Sequence, residues 1–329
     1  MIKNILTIVL ILSSGCKNIT EPNPSQGEWI LVRNAQLGYF QGLYFADRSN
    51  GWAVGDSGRI LNTNNGGDSW SMQASGINVW LECVFFATVS KGWIGGANNS
   101  IGTTTNGGAS WIWQHPAGDS RRTFMAMSFV NENTGWVVDN YAGILHTEDG
   151  GMTWTPQISG TTWGITSVQF LDAKEGWATA TNRVVLHTTD GGNNWATTIL
   201  DTLNYGSQVV VVYDDIYFVN RSKGWIGMTS ALSNTDYHPT PIVNTYDTGR
   251  SWSCQSTPED SFVKAIVFAN ERVGWGASSG GILYTNDGGS HWNYQLQIPD
   301  ALFVDVCLVG QSTCWALSFT GRIYRYEAF

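Results

Sequence analysis

The sequence predicts an all-β fold, a seven-bladed β-propeller of four-stranded blades in which the N-terminal strand closes the ring. The first observation is a Trp preceded by a small residue, which recurs every 40 to 50 residues. Its seven copies are Trp52, Trp93, Trp136, Trp177, Trp225, Trp275 and Trp315. A second, Gly-rich motif follows in most of these repeat units. A unit of about 40 residues has the size of one propeller blade.

Each repeat unit begins with the pattern of a half-buried strand. A Phe lies seven residues before the repeat Trp in six units, from Phe45 to Phe268, and Leu308 takes this place in the seventh. Apolar side chains alternate upstream of it, as expected for a strand with one buried face. In the first unit the pattern predicts strands at Leu43–Ala46, Trp52–Gly55, Arg59–Thr63 and Ser69–Gln73.

The second motif is an octapeptide that reads Thr-Asn-Asn-Gly-Gly-Asp-Ser-Trp in the first unit. Its six copies end at Trp70, Trp111, Trp154, Trp195, Trp252 and Trp292. An Asp or Asn side chain accepts hydrogen bonds from backbone N–H groups in a tight turn, and Gly supplies positive φ. We therefore interpret the acidic residues of this motif as structural and not catalytic.

Seven repeat Trp residues but only six octapeptides indicate that the last unit lacks its fourth strand. A strand pattern at Trp29–Arg33 precedes the first unit, and the last predicted third strand is Arg322–Tyr326. We predict that these two segments pair, with Trp29 in the place of the octapeptide Trp. This exchange closes the ring and removes exposed strand edges, so we expect a monomer.

The first residues predict export. Residues 1–15 combine one Lys, an apolar run and small residues, which is the layout of a secretory signal peptide. Cys16 follows directly and resembles the lipidated Cys of bacterial lipoproteins, with an ordinary cleaved signal as the alternative. Residues 16–27 then form a polar tether and residues 28–329 the propeller. These features predict a protein lipid-anchored in the bacterial cell envelope, on the outer membrane or the periplasmic face.

Composition narrows the classes of ligand. The formal net charge of -9 disfavours nucleic acid as a partner. The five His residues are scattered, so we expect no metal site, and we expect no cofactor. Cys307 and Cys314 flank a predicted hairpin turn, which favours a local disulfide in an oxidising compartment. Cys83 and Cys254 lie in distant units and are expected to be buried thiols.

The octapeptide resembles the Asp box of sialidase-type (BNR) repeats. Together with the Gly-Trp pair and the Gly-rich turn, repeated across residues 29–329, it is similar to the photosystem II stability and assembly factor family. This resemblance implies a seven-bladed propeller that binds a nascent membrane protein during assembly and is not an enzyme. Such repeats also occur in bacterial lipoproteins without a photosynthetic role. We therefore predict a non-catalytic scaffold whose partner is an envelope or membrane protein.

One face of the predicted propeller carries the candidate binding residues. The loops between second and third strands share this face with the connectors between blades. The residues are Arg59, Arg183 and Arg322 before third strands, and Tyr39, Trp80, Arg121, Arg122 and Trp163 in connectors. Arg and aromatic residues dominate protein interfaces, and a basic cluster would steer an acidic partner. The alternative is that the Arg side chains are merely solvated and that Trp80 and Trp163 fill the central channel.

An Asp-box glycoside hydrolase of the sialidase type, or a carbohydrate-binding propeller, is the alternative function. Glu82 and Asp214 lie eleven residues before their repeat Trp and are predicted to line the channel. Glycoside hydrolysis needs two carboxyl groups at a defined separation. Because Glu82 and Asp214 belong to the second and fifth units, we expect them to be too far apart to act together, and we predict no catalytic residues.

Overall fold

The computed structural model describes residues 27–34, 38–116, 119–200, 210–231, 242–258 and 261–328. The predicted signal peptide, Cys16 and the tether up to residue 26 lie outside these residues. Within the described ranges, no helix has the length and apolar character needed to cross a membrane. The described chain is built from β-strands, with one 3₁₀ turn at Asp56–Gly58.

The strands follow the repeat units along the chain. The N-terminal strand β1 (Gly27–Arg33) precedes the first unit. The first three units contain β2 (Phe40–Phe45), β3 (Gly51–Gly55), β4 (Ile60–Thr63), β5 (Ser71–Gln73), β6 (Leu81–Phe86), β7 (Gly92–Gly96), β8 (Ser100–Thr104), β9 (Ile112–Gln114), β10 (Phe124–Phe129), β11 (Gly135–Asp139), β12 (Ile144–Thr147) and β13 (Thr155–Gln157). The last four contain β14 (Ile165–Phe170), β15 (Gly176–Ala180), β16 (Val184–Thr188), β17 (Ala196–Ile199), β18 (Val210–Phe218), β19 (Gly224–Ala231), β20 (Ile242–Thr245), β21 (Ser253–Gln255), β22 (Val263–Phe268), β23 (Gly274–Thr285), β24 (Asn293–Val309), β25 (Thr313–Ser318) and β26 (Ile323–Ala328).

These strands form six sheets, so the prediction of seven separate four-stranded blades is wrong. Five sheets have four strands each, and the sixth has six strands in the order β1-β26-β25-β24-β23-β22. The sixth and seventh repeat units share this sheet because β24 is one continuous strand that pairs first with β23 and then with β25. A Gly at positive φ follows the fourth strand in the first and third units, at Gly76 and Gly160, and residues 297–302 contain no Gly.

The N-terminal strand closes the ring, as predicted. β1 pairs antiparallel with β26 in the six-stranded sheet. In this sheet Trp315 lies opposite Arg325, and Arg325 lies opposite Ile30. In the first sheet, the same series of opposed residues, counted from the repeat Trp across the third strand to the fourth, leads to the residue after Trp70. Trp29 therefore occupies the place of the octapeptide Trp.

The repeat Trp side chains hold neighbouring units together. Trp52 is buried and stacks on Phe86 of the next unit, with ring centroids 3.5 Å apart. Trp315 makes the same contact with Phe45 of the first unit at 3.8 Å, across the joint that closes the ring. The octapeptide Trp packs edge-on against the Phe of its own unit, as Trp70 does against Phe45. Each unit thus buries its largest side chains against a neighbour, which is typical of repeat architectures.

This packing explains the small residue before the repeat Trp. Gly51 lies opposite Phe45, and a Cβ atom at Gly51 would come within 2.5 Å of the Phe45 ring. Five further units repeat the pair of Phe and Gly. In the last unit Leu308 replaces the Phe and lies opposite Cys314, which replaces the Gly. The last unit therefore has a smaller side chain than Phe on its first strand and a larger residue than Gly opposite it on its second strand.

Indole N–H groups connect five of the repeat units to the turn of a neighbour. Trp52 Nε1 donates a hydrogen bond of 3.1 Å to the carbonyl oxygen of Gly107 in the second octapeptide. Gln73 Nε2 donates to the same oxygen over 2.9 Å. The Trp bond recurs at Trp93, Trp136, Trp225 and Trp315. The contribution of this Gln, three residues after the octapeptide Trp, was not predicted from the sequence.

The octapeptide turns use their Asp and Asn side chains as backbone acceptors, as predicted. Asp149 Oδ1 accepts the N–H of Thr153 over 2.9 Å, and Asp149 Oδ2 accepts its hydroxyl over 2.6 Å. These hydrogen bonds lower the pKa of Asp149 to about 2. Asn65 accepts the equivalent N–H of Ser69 over 3.0 Å, so Asn serves the same turn.

The predicted disulfide between Cys307 and Cys314 is wrong, because both thiols are free and buried. Cys307 lies opposite Trp315, whereas Cys314 lies opposite Leu308. Neighbouring residues of a strand point to opposite faces, so the two sulfur atoms face away from each other. The expectation of a buried thiol is also wrong for Cys254, which is exposed, and Cys83 is only partly buried.

Candidate functional site

The loops between second and third strands lie at one end of the sheets, beside the connectors between repeat units. We call this end the connector face. Backbone hydrogen bonds tie each loop to the next connector, as from Gly58 N to the Val79 carbonyl over 2.6 Å. Asn99 N makes the same kind of bond to the Arg122 carbonyl over 2.8 Å. The eight residues predicted to form a binding face all belong to these loops and connectors.

Three aromatic side chains from three repeat units stack on the connector face. The ring centroid of Tyr39 lies 4.7 Å from that of Phe319 and 6.3 Å from that of Trp80. The Trp80 and Phe319 centroids lie 6.4 Å apart. We call Tyr39, Trp80 and Phe319 the aromatic cluster. It spans the joint at which the last repeat unit meets the first two.

Phe319 was not identified from the sequence, although a signal was present. It lies four residues after its repeat Trp, where the other six units have small or polar residues such as Asp56, Ala97 and Ser279. A comparison of this position across the units would have singled out Phe319.

A cavity of about 380 Å³ adjoins the aromatic cluster. Phe319, Arg322 and Tyr324 line it from the last unit, and Asp300 and Leu302 line it from the connector before that unit. Burial raises the pKa of Tyr324, and the positive charge of Arg322 offsets part of this shift. One predicted Arg therefore contributes to a concave surface beside the exposed ring of Tyr39 and the half-buried rings of Trp80 and Phe319.

Three other predicted Arg side chains form ion pairs with Asp residues of the same face. The pairs are Arg59–Asp56, Arg121–Asp119 at 2.9 Å and Arg122–Asp139 at 2.5 Å. Arg121 also lies over the ring of Tyr141 at 5.7 Å. Because these charges are balanced locally, the three pairs do not add to a strongly basic cluster among the described residues of the connector face.

The remaining predicted residues lie away from the aromatic cluster. Trp163 and Arg183 belong to the fourth repeat unit, and Trp163 is 45% exposed. Neither Trp80 nor Trp163 is among the side chains that line the central channel. The structure therefore brings together Tyr39, Arg59, Trp80 and Arg322 from the predicted set, with Arg59 paired to the same Asp56 oxygen that accepts the Tyr39 N–H, and it adds Phe319.

The central channel is lined by the first strands of all the repeat units. The register of each first strand shifts at the same position, eleven residues before the repeat Trp, which marks a β-bulge. The bulged residues line a cavity of about 250 Å³, and they are Gln41, Glu82, Met125, Thr166, Asp214, Lys264 and Val304. A bulge re-aims a side chain, and here it turns one residue of each unit into the channel. Glu82 and Asp214 therefore line the channel, as predicted.

Lys264 connects the two predicted channel carboxylates electrostatically. Its Nζ lies 2.5 Å from Asp214 Oδ1. Burial raises the pKa of Glu82 to about 7, and the charge of Lys264 offsets part of this shift. Glu82 and Asp214 thus share one cavity and one cationic neighbour, although they come from distant repeat units.

Comparisons with known proteins agree with the repeats. The family model described as photosynthesis system II assembly factor YCF48 matches residues 69–158 and 112–214. A search of curated proteins finds no match. The solved structure of YCF48 from Cyanidioschyzon merolae is 18% identical over 91% of this chain and 98% of its own, with a TM-score of 0.68. The WD40 propeller domain of Doa1 is 10% identical over 92% of this chain and 97% of its own, with a TM-score of 0.71.

At these identities the structural likeness shows the propeller fold alone. A structure of YCF48 bound to a D1 peptide aligns with a TM-score of 0.45, which is too low for a comparison of binding surfaces. The family model instead matches the repeats by sequence, including the octapeptides that end at Trp111, Trp154 and Trp195. The predicted resemblance to the photosystem II assembly factor family is confirmed by this match, which covers residues 69–214 of the chain.

Proposed function

We propose that this chain is a non-catalytic scaffold that binds a membrane protein in the bacterial cell envelope and supports its assembly or stability. The aromatic cluster beside the Arg322 cavity carries this proposal. The family match supports the class of function, since the family model is named for an assembly factor. The signal-like leader and Cys16 support an envelope location and a lipid anchor.

The aromatic cluster has the properties of an interface anchor. Tyr39 is 48% exposed, yet its ring is already held by stacking on Phe319. A ring that is ordered before binding loses little conformational freedom when a partner covers it. Tyr and Trp are also among the residues most often found at the energetic centres of protein interfaces. The cluster therefore offers a rigid apolar platform to a partner.

The neighbouring cavity indicates which chemistry the partner would bring. Its wall combines the guanidinium of Arg322 with the apolar surfaces of Leu302 and Phe319. A guanidinium binds carboxylates in a planar, two-pronged geometry. We expect an extended segment of the partner to place an apolar side chain on the cluster and a carboxylate at Arg322.

The described carboxylates favour binding over glycoside hydrolysis. The Asp residues of the octapeptides hold their own turns, as Asp149 does. In the channel, Asp214 is paired with Lys264, and Asp215 accepts hydrogen bonds from the Ser167 hydroxyl and from Ile266 N. The octapeptide Asp residues and Asp215 are thus engaged in stabilising the fold, so they are poorly suited to act as a catalytic acid and base.

Capture of a partner from detergent-solubilised envelope tests the binding face. The full-length chain is compared with the double variant Tyr39→Ser/Arg322→Gln. A membrane protein held at this face should be captured at least about tenfold less by the variant, because loss of an interface anchor costs more than about 1.4 kcal/mol. Thermal melting of both proteins checks that the variant remains folded.

The matched control carries the same substitutions at the opposite end of the sheets. Tyr246 and Arg250 are exposed residues of the fifth octapeptide, so Tyr246→Ser/Arg250→Gln changes the same residue types away from the connector face. The control should capture the partner like the unaltered chain. Equal capture by the connector-face variant would show that binding does not use the aromatic cluster and Arg322.

The lipid anchor is tested separately. Cells that express the chain are labelled with an alkyne fatty acid, and Cys16→Ser serves as the comparison. Label in the natural chain that is lost in Cys16→Ser, together with release of the variant from the membrane fraction, would support the anchor. An unlabelled natural chain would contradict it.

A further inference from the structure

The channel holds a group of charged side chains that the proposed function does not use. Glu82, Asp214 and Lys264 are bulged residues of three first strands, and Asp215 and Asp305 directly follow the bulges of two. All five line the cavity of about 250 Å³. Four carboxyl groups against one ammonium give this cavity an excess of negative charge when they are ionised.

Asp214 provides the observation that points to a ligand. Its side chain is 5% exposed, and its Oδ1 accepts a hydrogen bond of 2.5 Å from Lys264 Nζ. Its Oδ2 is buried in the same wall of the cavity and has no hydrogen-bond partner within the described chain. A buried carboxylate oxygen without a donor is unfavourable, and a donor group from outside the chain would satisfy it.

The other two Asp residues are already satisfied. Asp215 accepts hydrogen bonds of 2.9 Å from the Ser167 hydroxyl and from Ile266 N. Asp305 accepts one of 2.7 Å from Leu43 N and another of 2.7 Å from Val306 N. These bonds link the first strands of neighbouring units, so both residues act in the scaffold. Asp214 Oδ2 and the Glu82 carboxyl group are therefore the acidic groups of the cavity that are left to contact a ligand.

We propose that this channel site binds an organic cation, an ammonium or guanidinium group, held by Asp214 and Glu82. Such a cation supplies both the missing hydrogen-bond donor and the missing positive charge. A metal ion fits less well, because the described residues contain no group of three or more His, Cys, Asp or Glu side chains able to hold one. Lys264 would also repel a compact divalent ion more strongly than a diffuse organic cation.

The position of the site allows two sources of the cation. In five of the seven units the bulge lies one residue after the start of the first strand, as Glu82 does after Leu81, and these strands begin at the connector face. A free small amine can therefore enter the channel from this end. So can a Lys or Arg side chain of a protein bound there, and this second source rests on the proposed function.

Binding of the cation should be linked to proton release. Burial raises the pKa of Glu82 to about 7 and that of Asp305 to about 8, while Asp214, Asp215 and Lys264 face the same cavity. A bound cation favours the ionised form of Glu82 and so lowers its pKa. Affinity should therefore increase as the pH rises through about 7, with protons released into the buffer.

Calorimetric titration of the purified full-length chain tests the site without a partner protein. The probes are butylamine and its neutral match butanol, and a capped Ala-Lys-Ala peptide with its norleucine analogue. The amine should bind saturably and butanol should not. Asp214→Asn, which keeps the shape but removes the charge, should weaken binding at least about tenfold, and Glu148→Gln in an exposed octapeptide turn should change nothing.

Lys264→Met separates the electrostatic proposal from a loss of structure. Removing the competing ammonium should tighten amine binding at least about threefold, whereas a damaged channel would weaken it. Binding of butylamine alone identifies a free small cation, and binding of the Lys peptide as well identifies a partner side chain as a source. Absence of saturable binding by both cationic probes, or equal binding by Asp214→Asn, overturns the proposal. Capture of a membrane protein is measured separately, so either proposal can fail alone.

Discussion

The pairing of Phe with Gly in the repeat units can be tested by a double-mutant cycle in the third unit. A Cβ atom at Gly135 would lie 2.2 Å from the Cδ1 atom of Phe129, so Gly135→Ala forces the ring or the strand to move. Overpacking of this kind costs about 1–3 kcal/mol. Up to about 1 kcal/mol is offset, because Ala reduces the conformational freedom of the unfolded chain.

The partner substitution follows the natural example of Leu308 and Cys314. Phe129→Leu removes the ring that stacks on Trp93 at 3.7 Å, which should cost about 1–2 kcal/mol. The smaller side chain also makes room at position 135, so the double variant should be little less stable than Phe129→Leu alone. The expected coupling is about 1–3 kcal/mol in favour of the double variant.

Urea unfolding followed by Trp fluorescence measures the four corners of this cycle. Gly276→Ala is the control, because a Cβ atom there meets its nearest neighbour at 3.2 Å and should change stability by less than about 1 kcal/mol. The reasoning would be refuted if Gly135→Ala were as stable as the natural chain. It would equally be refuted if the effects of the two substitutions simply added.

Three further predictions follow from single positions. Thr248 has φ 65° in the fifth octapeptide, where the other copies have Gly, so Thr248→Gly should raise the free energy of unfolding by about 1 kcal/mol in urea titration, and no gain would contradict the strain. Burial raises the pKa of Asp305 from 3.8 to about 8, so the native state holds its proton more tightly than the unfolded state, and stability should fall as the pH rises from about 4 to about 8. Asp305→Asn should flatten that fall, by at most about 6 kcal/mol at about 1.36 kcal/mol per pKa unit, and an unchanged slope between the two proteins would exclude Asp305 as its source. Cys254 should react with a maleimide in the folded state while Cys307 stays protected, and a non-reducing gel of the denatured chain should show no internal disulfide.

The scaffold could be predicted from the sequence because each packing contact repeats. Trp52 and its equivalents, the octapeptides and the closing strand at Trp29 were all identified from spacing. The number of sheets was not predicted correctly, because it depends on whether a strand ends between two units. Nothing in the periodicity of β24 distinguishes one continuous strand from two.

The cysteine predictions failed for a related reason. Cys307 and Cys314 are close in sequence and lie on neighbouring strands, which favours a disulfide by distance alone. Their register decides the outcome, since Cys314 lies opposite Leu308 and not opposite Cys307. The face of the sheet to which a residue points depends on the positions of bulges and turns, and these positions were not predicted. The same bulges placed Lys264 beside Asp214, a contact between units that spacing could not reveal.

Positions that hold the same residue in every repeat unit are therefore packing positions. Positions that vary between units lie on surfaces that are available for function. The position of the repeat Trp does not vary because each copy fills the same space between neighbouring units. The position eleven residues before it varies from Gln41 through Glu82 to Lys264, because the bulge directs it into the channel, where no neighbouring strand restricts the side chain. The position four residues after it contains a single large aromatic residue, Phe319, at the joint where the aromatic cluster forms. Both sites argued above consist of such variable positions, held in place by a scaffold whose repeated contacts do not depend on them.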